Sequence, residues 1–213
     1  MTWGTMRGEG RRSGAAWALP GLAFVVALAL PGALRAEEPL PPDRPSLNLY
    51  GMTGLIDMPS AEMQPDAQFT ITSSFFGGYL RNTIAVQILP GLETAFRYSV
   101  LEDMLAGPGS TTLYDRSFDL KLRLIQEGPD WPTVVVGLQD FLGTGVYSGE
   151  YFAATKNFLG GDLKLTGGVG WGRFAGTNGV DNPLCQNNNR FCERSADVGV
   201  GGTVDAGQFF SGD

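Results

Sequence analysis

Residues 115–126 read "DRSFDLKLRLIQ", and the alternation in this stretch decides the fold class. Phe118, Leu120, Leu122 and Leu124 fall on one side of an extended chain, with Asp119, Lys121 and Arg123 on the other. A period of two belongs to a strand with one apolar and one polar face. Upstream the pattern recurs. "NTIAVQIL" (82–89) sets Ile84, Val86 and Ile88 against Thr83, Ala85 and Gln87. "LETAFRYSV" (92–100) sets Leu92, Phe96, Tyr98 and Val100 against Glu93, Ala95, Arg97 and Ser99. Further strand-sized runs are "QFTITSSFF" (68–76), "TVVVGLQDFL" (133–142), "YFAATKNF" (151–158), "DLKLTGGVGWGRF" (162–174) and "DVGVGGTV" (197–204). Turn signals such as Pro90-Gly91, "EGPDWP" and "LGG" separate them, and no helical period is sustained.

The result is an all-β, antiparallel chain of about eight strands, each near the ~9–11 residues that a tilted strand needs to cross a bilayer. Links after the second, fourth and sixth strands read as short, and those after the first ("GGYLR"), third, fifth and seventh as longer. Such parity is expected of an outer-membrane barrel, with short periplasmic turns and long external loops. Periodicity alone fits a soluble sandwich equally well, with the charged face in water. In a barrel the faces are reversed. Glu93, Arg97, Asp119, Lys121, Arg123, Asp162 and Lys164 then line the lumen, either neutralising one another or forming a polar track for a hydrated polymer. On that assignment a charge at lipid-facing Leu122 should be far more harmful than Lys121→Glu.

The N-terminus resembles an export signal. Arg7, Arg11 and Arg12 precede an apolar run from Ala15, and "ALRA" ending at Ala36 supplies a cleavage site. Pro20 and Pro31 interrupt the run, which argues against a membrane anchor, and no cysteine lies near the site to carry a lipid. Expected boundaries are a signal peptide at 1–36, a Pro-rich lead and periplasmic mouth element at 37–66, and strands of a barrel at 67–213. The expected location is the cell outer membrane.

Composition narrows the function. Among 213 residues there are 31 Gly, 17% are charged, and the formal net charge is −7. With no basic segment beyond the N-terminal arginines, nucleic acid is not an expected partner. There is no His, which removes the usual general base and the commonest metal ligand. No cofactor is expected. A carboxylate-only enzyme stays open, with Asp119 and Asp162, or Glu93 and Asp119, as a glycosidase pair, although that chemistry needs a defined separation. Cys185 and Cys192 bracket "QNNNRF" in the longest link. In an exported chain they favour a disulfide, since two thiols alone make a poor zinc site.

Three stretches carry a family resemblance: "GMTGLIDMPSAEMQPDAQFTITSSF" (51–75), residues 115–158, and "DLKLTGGVGWGRF". Within the second, Pro132 to Lys156 follows the pattern PxxVVGLxDFxGTGxYxxEYxxATK. From about Tyr50 onward the chain resembles the YjbH-like family of Gram-negative outer-membrane β-barrel proteins linked to exopolysaccharide or capsule biosynthesis. The resemblance implies an up-and-down transmembrane β-barrel taking part in exopolysaccharide production or export, without catalytic residues. Its implied partners are outer-membrane lipid, the exopolysaccharide and co-encoded secretion proteins. Family members are longer, so the chain is expected to be an incomplete N-terminal part of the barrel. "GLIDMPSA" is then a short apolar strand at the periplasmic mouth. The rival functions are a general diffusion porin and a secreted soluble carbohydrate-binding β-domain.

Overall fold

A computed structural model describes residues 44–102, 112–175, 181–194 and 209–212. The expected signal peptide and the expected "DVGVGGTV" strand lie outside the described residues. Seven strands form one antiparallel meander: β3 (Phe69–Phe76), β4 (Tyr79–Leu89), β5 (Leu92–Leu101), β6 (Leu113–Ile125), β7 (Thr133–Gly143), β8 (Gly149–Phe158) and β9 (Leu163–Gly170). Among the described residues each pairs only with its chain neighbours, so β3 and β9 are the two edges of a sheet curled into a half-barrel. Ahead of it, β1 (Gly54–Leu55) and β2 (Met58–Pro59) make a small hairpin.

The side-chain alternation produces an unusual distribution of burial. Along β5 every second residue is buried, from Glu93 through Ala95, Arg97 and Ser99 to Leu101. The opposite face of the sheet leaves Ile84, Phe118, Leu122 and Phe152 substantially uncovered. Charge is inside and hydrocarbon outside, the reverse of a water-facing sandwich.

Two features make the concave face so well buried. The strands curl, and residues 46–66 lie across the hollow. Tyr50 packs with Leu101 and Tyr147, Met52 with Ala85 and Ala95, and Ala61 with Val135, Tyr151 and Ala153. The stretch expected as a single strand at a barrel mouth is instead a hairpin seated against the sheet, with Pro59 inside its second strand.

The expected parity of link lengths is not found. "GGYLR" is not a link: Gly77 and Gly78 alone turn the chain, both with left-handed backbone (φ +63° and +85°), and Tyr79, Leu80 and Arg81 belong to β4. Paired left-handed residues suit the twist of a two-residue hairpin, which explains the Gly-Gly. The β6–β7 link is also longer than the β7–β8 link, so link length does not assign the two ends of the sheet.

Candidate functional site

The centre of the concave face is a ladder of buried ion pairs between β5 and β6. Glu93 and Lys121 are directly opposed in the antiparallel register, and their side chains meet at 2.7 Å with both fully buried. Further along, Arg97 reaches diagonally to Asp119, whose register partner is Ala95, and grips it through two hydrogen bonds of 2.7 and 3.2 Å. Fork-on-carboxylate geometry makes such a pair both strong and directional. Burial of four charges is tolerable because each has an opposite partner and further hydrogen bonds.

The segment across the hollow provides those further bonds. Thr53 gives its backbone N–H (3.2 Å) and hydroxyl (2.9 Å) to Glu93, and Gln64 adds its side-chain amide at 3.0 Å. Lys121 in turn donates to the Thr53 hydroxyl and to the Glu62 carbonyl at 3.0 Å. The Ala61 N–H reaches the Thr155 hydroxyl on β8 at 2.8 Å. A non-periodic segment thus satisfies charges on the sheet.

Toward the other end, Tyr50 is surrounded by cations. The guanidinium carbons of Arg81, Arg97 and Arg173 lie 4.9, 4.9 and 3.9 Å from its ring centre. The negative face of an aromatic ring attracts such groups. Burial pushes the Tyr50 phenol above its ordinary range, against the opposing pull of Arg173, so the hydroxyl stays protonated. It accepts a hydrogen bond from Arg173 at 3.1 Å. Arg81 has no ion pair among the described residues. It donates to the Tyr147 hydroxyl at 3.1 Å and sits over the Tyr147 ring. Its Nε and Nη1 find no hydrogen-bond partner among the described residues.

An irregularity in β7 adds a third carboxylate. Between the pairs Phe118↔Leu142 and Leu120↔Leu138 the register shifts, leaving residues 139–141 opposite Asp119. Asp140 takes left-handed backbone (φ 49°), gives its N–H to Asp119 at 2.8 Å, and accepts from the Tyr147 N–H at 3.0 Å. Bulges re-aim side chains in this way. Asp115, also buried, accepts from the Thr144 hydroxyl.

Glu93, Arg97, Asp119 and Lys121 are thus brought together on the concave face. Arg123 shares their face near the end of β6, half-buried beside Gly91. Lys164 on β9 meets Glu62 of the crossing segment at 2.7 Å. Asp162 does not join them. It follows the 3-10 turn Leu159–Gly161, is exposed, and lies outside β9, because the strand begins one residue later than the alternation suggests. Cys185 and Cys192 are joined in a disulfide. Their loop is tied to the sheet by Arg194, which grips Glu150 at 2.7 and 2.9 Å.

Glu93 and Asp119 each face a cation at hydrogen-bond distance, unlike a glycosidase pair with one carboxyl held protonated and one free. No group of three metal-ligating side chains occurs among the described residues. The donors and acceptors are those that bind hydroxyl, carbonyl and amide groups. Sequence reasoning missed Tyr50, Thr53, Arg81, Asp115, Asp140 and Glu150. Asp115 shares the parity of Asp119 and was there to be read. Arg81 and Glu150 fall just outside the strand-sized runs of the sequence, and nothing local marks Tyr50 or Thr53.

Comparison with known proteins places these features in a family. Residues 46–213 match the family YjbH, described as "Exopolysaccharide biosynthesis protein YbjH". The chain is 33% identical over 196 residues to the "Uncharacterized lipoprotein YjbH" of Escherichia coli strain K12. That alignment covers 90% of this chain and 28% of the relative, so the chain spans under a third of the relative's length. No solved structure matches. The family match begins at Ser46, where the segment that crosses the hollow begins, and it runs through all seven strands: the chain belongs to the YjbH family of exopolysaccharide biosynthesis proteins.

Proposed function

We propose that the chain is part of an outer-membrane β-barrel that takes part in making or exporting an exopolysaccharide, and that it does so by holding and guiding rather than by catalysis. One observation carries this reading: the sheet buries its charges and presents hydrocarbon. Arg97, Glu93 and Lys121 are fully buried, while Ile71, Leu122, Leu165 and Val169 stand at least 42% exposed on the other face. Uncovered apolar area on this scale suits lipid. The strand lengths also suit a crossing, at 8 to 13 residues. The name of the E. coli relative, a lipoprotein, agrees with a place in the cell envelope. In this chain the two cysteines of the sequence are bonded to each other, so lipid attachment through either is not part of the proposal.

The test is deletion of the gene with measurement of secreted polysaccharide, alongside membrane fractionation of a tagged protein. Loss of secreted polymer with the protein in the outer-membrane fraction is expected. Unchanged polymer, or protein in the soluble fraction, would overturn the proposal.

A further inference from the structure

The segment across the hollow is held in a particular way. Its buried hydrophobic side chains are few (Tyr50, Met52 and Ala61), and Leu55, Ile56 and Met58 are exposed. Its grip on the sheet is polar. Lys121 binds one hydroxyl and two main-chain carbonyls; Glu93 binds one hydroxyl, one backbone N–H and one amide. Hydroxyl, carbonyl and amide are what a polysaccharide chain bearing N-acyl or uronate groups offers. Exchange of one such set of hydrogen bonds for another is nearly neutral in free energy.

Two residues bordering this stretch take left-handed backbone. Ile56, at the tip of the β1–β2 hairpin, has φ 51°, and Ala67, at the junction with β3, has φ 57°. Left-handed backbone is disfavoured for any residue with a Cβ, most of all a β-branched one, and persists only where surrounding contacts impose it. Ile56 is 78% exposed in the two-residue turn between the paired Leu55 and Met58, so its conformation belongs to that turn, and the hold on the sheet is left to the polar contacts. The outer anchors are also accessible: Asp57, paired with Arg173 at 3.5 Å, is 56% exposed, and Glu62 and Lys164 are partly exposed. A competitor can reach these pairs first.

We propose that residues 50–64 are an exchangeable occupant of a sugar-binding track on the concave face, displaced by a polyhydroxylated chain that offers hydroxyl and carbonyl groups to Lys121 and Glu93. This rests on the polysaccharide reading above. Deuterium uptake of the full-length protein in lipid vesicles tests it, with dextran, polygalacturonate or polyethylene glycol of equal mass added. Either polysaccharide should speed uptake across residues 46–64 about tenfold, with β5 and β6 unchanged, since local opening sets amide exchange. Response to dextran alone would mean that neutral hydroxyls suffice. Response to polygalacturonate alone would mean that its carboxylates replace Asp57 and Glu62. No response to either, or an equal response to polyethylene glycol, would overturn the proposal. Thr53→Val removes the hydroxyl held by both charges, and faster uptake without any polymer is expected; an unchanged rate would overturn the assignment to Lys121 and Glu93. If the deletion strain loses its polymer while uptake never changes, the exchange proposal falls alone. If uptake responds while secretion is intact, the cellular role falls and the binding track stands.

Discussion

Lys121 is enclosed by the Glu93 carboxylate, the Thr53 hydroxyl and the Glu62 carbonyl, with no exposed surface. Its replacement is therefore not the mild change expected of a hydrated lumen. Lys121→Met strands Glu93, and breaking a buried pair from one side costs roughly 3–5 kcal/mol. Lys121→Glu, which sets two carboxylates together, should be worse. Leu122→Arg, next in sequence but on the outer face, should cost roughly 2–4 kcal/mol if that face meets mid-bilayer lipid. Assembly yield of the three variants in outer membranes is the measurement, and all three should fall. A normal yield for Leu122→Arg would remove the lipid assignment, and a normal yield for Lys121→Glu would mean that the pair is solvated. Gly137 offers a second check at this scale. Tyr151, its cross-strand partner, lays its ring where a Cβ at Gly137 would be. Gly137→Ala should destabilise the sheet by about 1–3 kcal/mol through overpacking. Thermal melting checks this, and a paired Tyr151→Phe should not relieve the loss because the ring remains.

Strands and links differ in how far they could be read from the sequence. Strict alternation put Glu93, Arg97, Asp119 and Lys121 on one face, because a period of two admits no other arrangement within a regular strand. Where the strand is irregular, parity misleads. Asp140 lies at the bulge in β7, and local sequence does not register a shift imposed by the partner strand. "GGYLR" was read as a link because glycines usually interrupt strands, whereas here they tighten a hairpin. The crossing segment was the least legible. Its periodicity is weak, and its partners lie far along the chain: Glu93 is 40 residues from Thr53, and Lys164 is 102 from Glu62. The disulfide loop has two kinds of anchor that can be separated. Cys185→Ser with Cys192→Ser should loosen residues 182–194 by about 2–3 kcal/mol, the entropy of opening so short a loop. The Arg194–Glu150 grip should persist. Limited proteolysis should show faster cutting within the loop and an intact β8; cutting in β8 as well would show that the disulfide secures the sheet.

At the scale of the molecule, the two edges of the described sheet would need partners if its outer face meets lipid. In lipid every unpaired backbone N–H or C=O costs several kcal/mol, and β3 and β9 do not pair with each other. Refolded alone in detergent, these 213 residues should give little protease-resistant, heat-modifiable species on gels. A compact resistant species would mean that both edges find partners within this chain. The place of the crossing segment also bears on the order of assembly. It precedes β3 in the chain and so leaves the ribosome before any strand that covers it. Its contacts reach β5, β6, β8 and β9. Such distant contacts close large loops, which slows folding. Early docking of Thr53 on the β5–β6 hairpin would fix one end of each later loop and leave β8 and β9 a shorter search. The sheet then wraps around a core that arrived first, as a mould closes on its mandrel. A chain with this segment moved to its C-terminus should keep the same contacts and lose that head start.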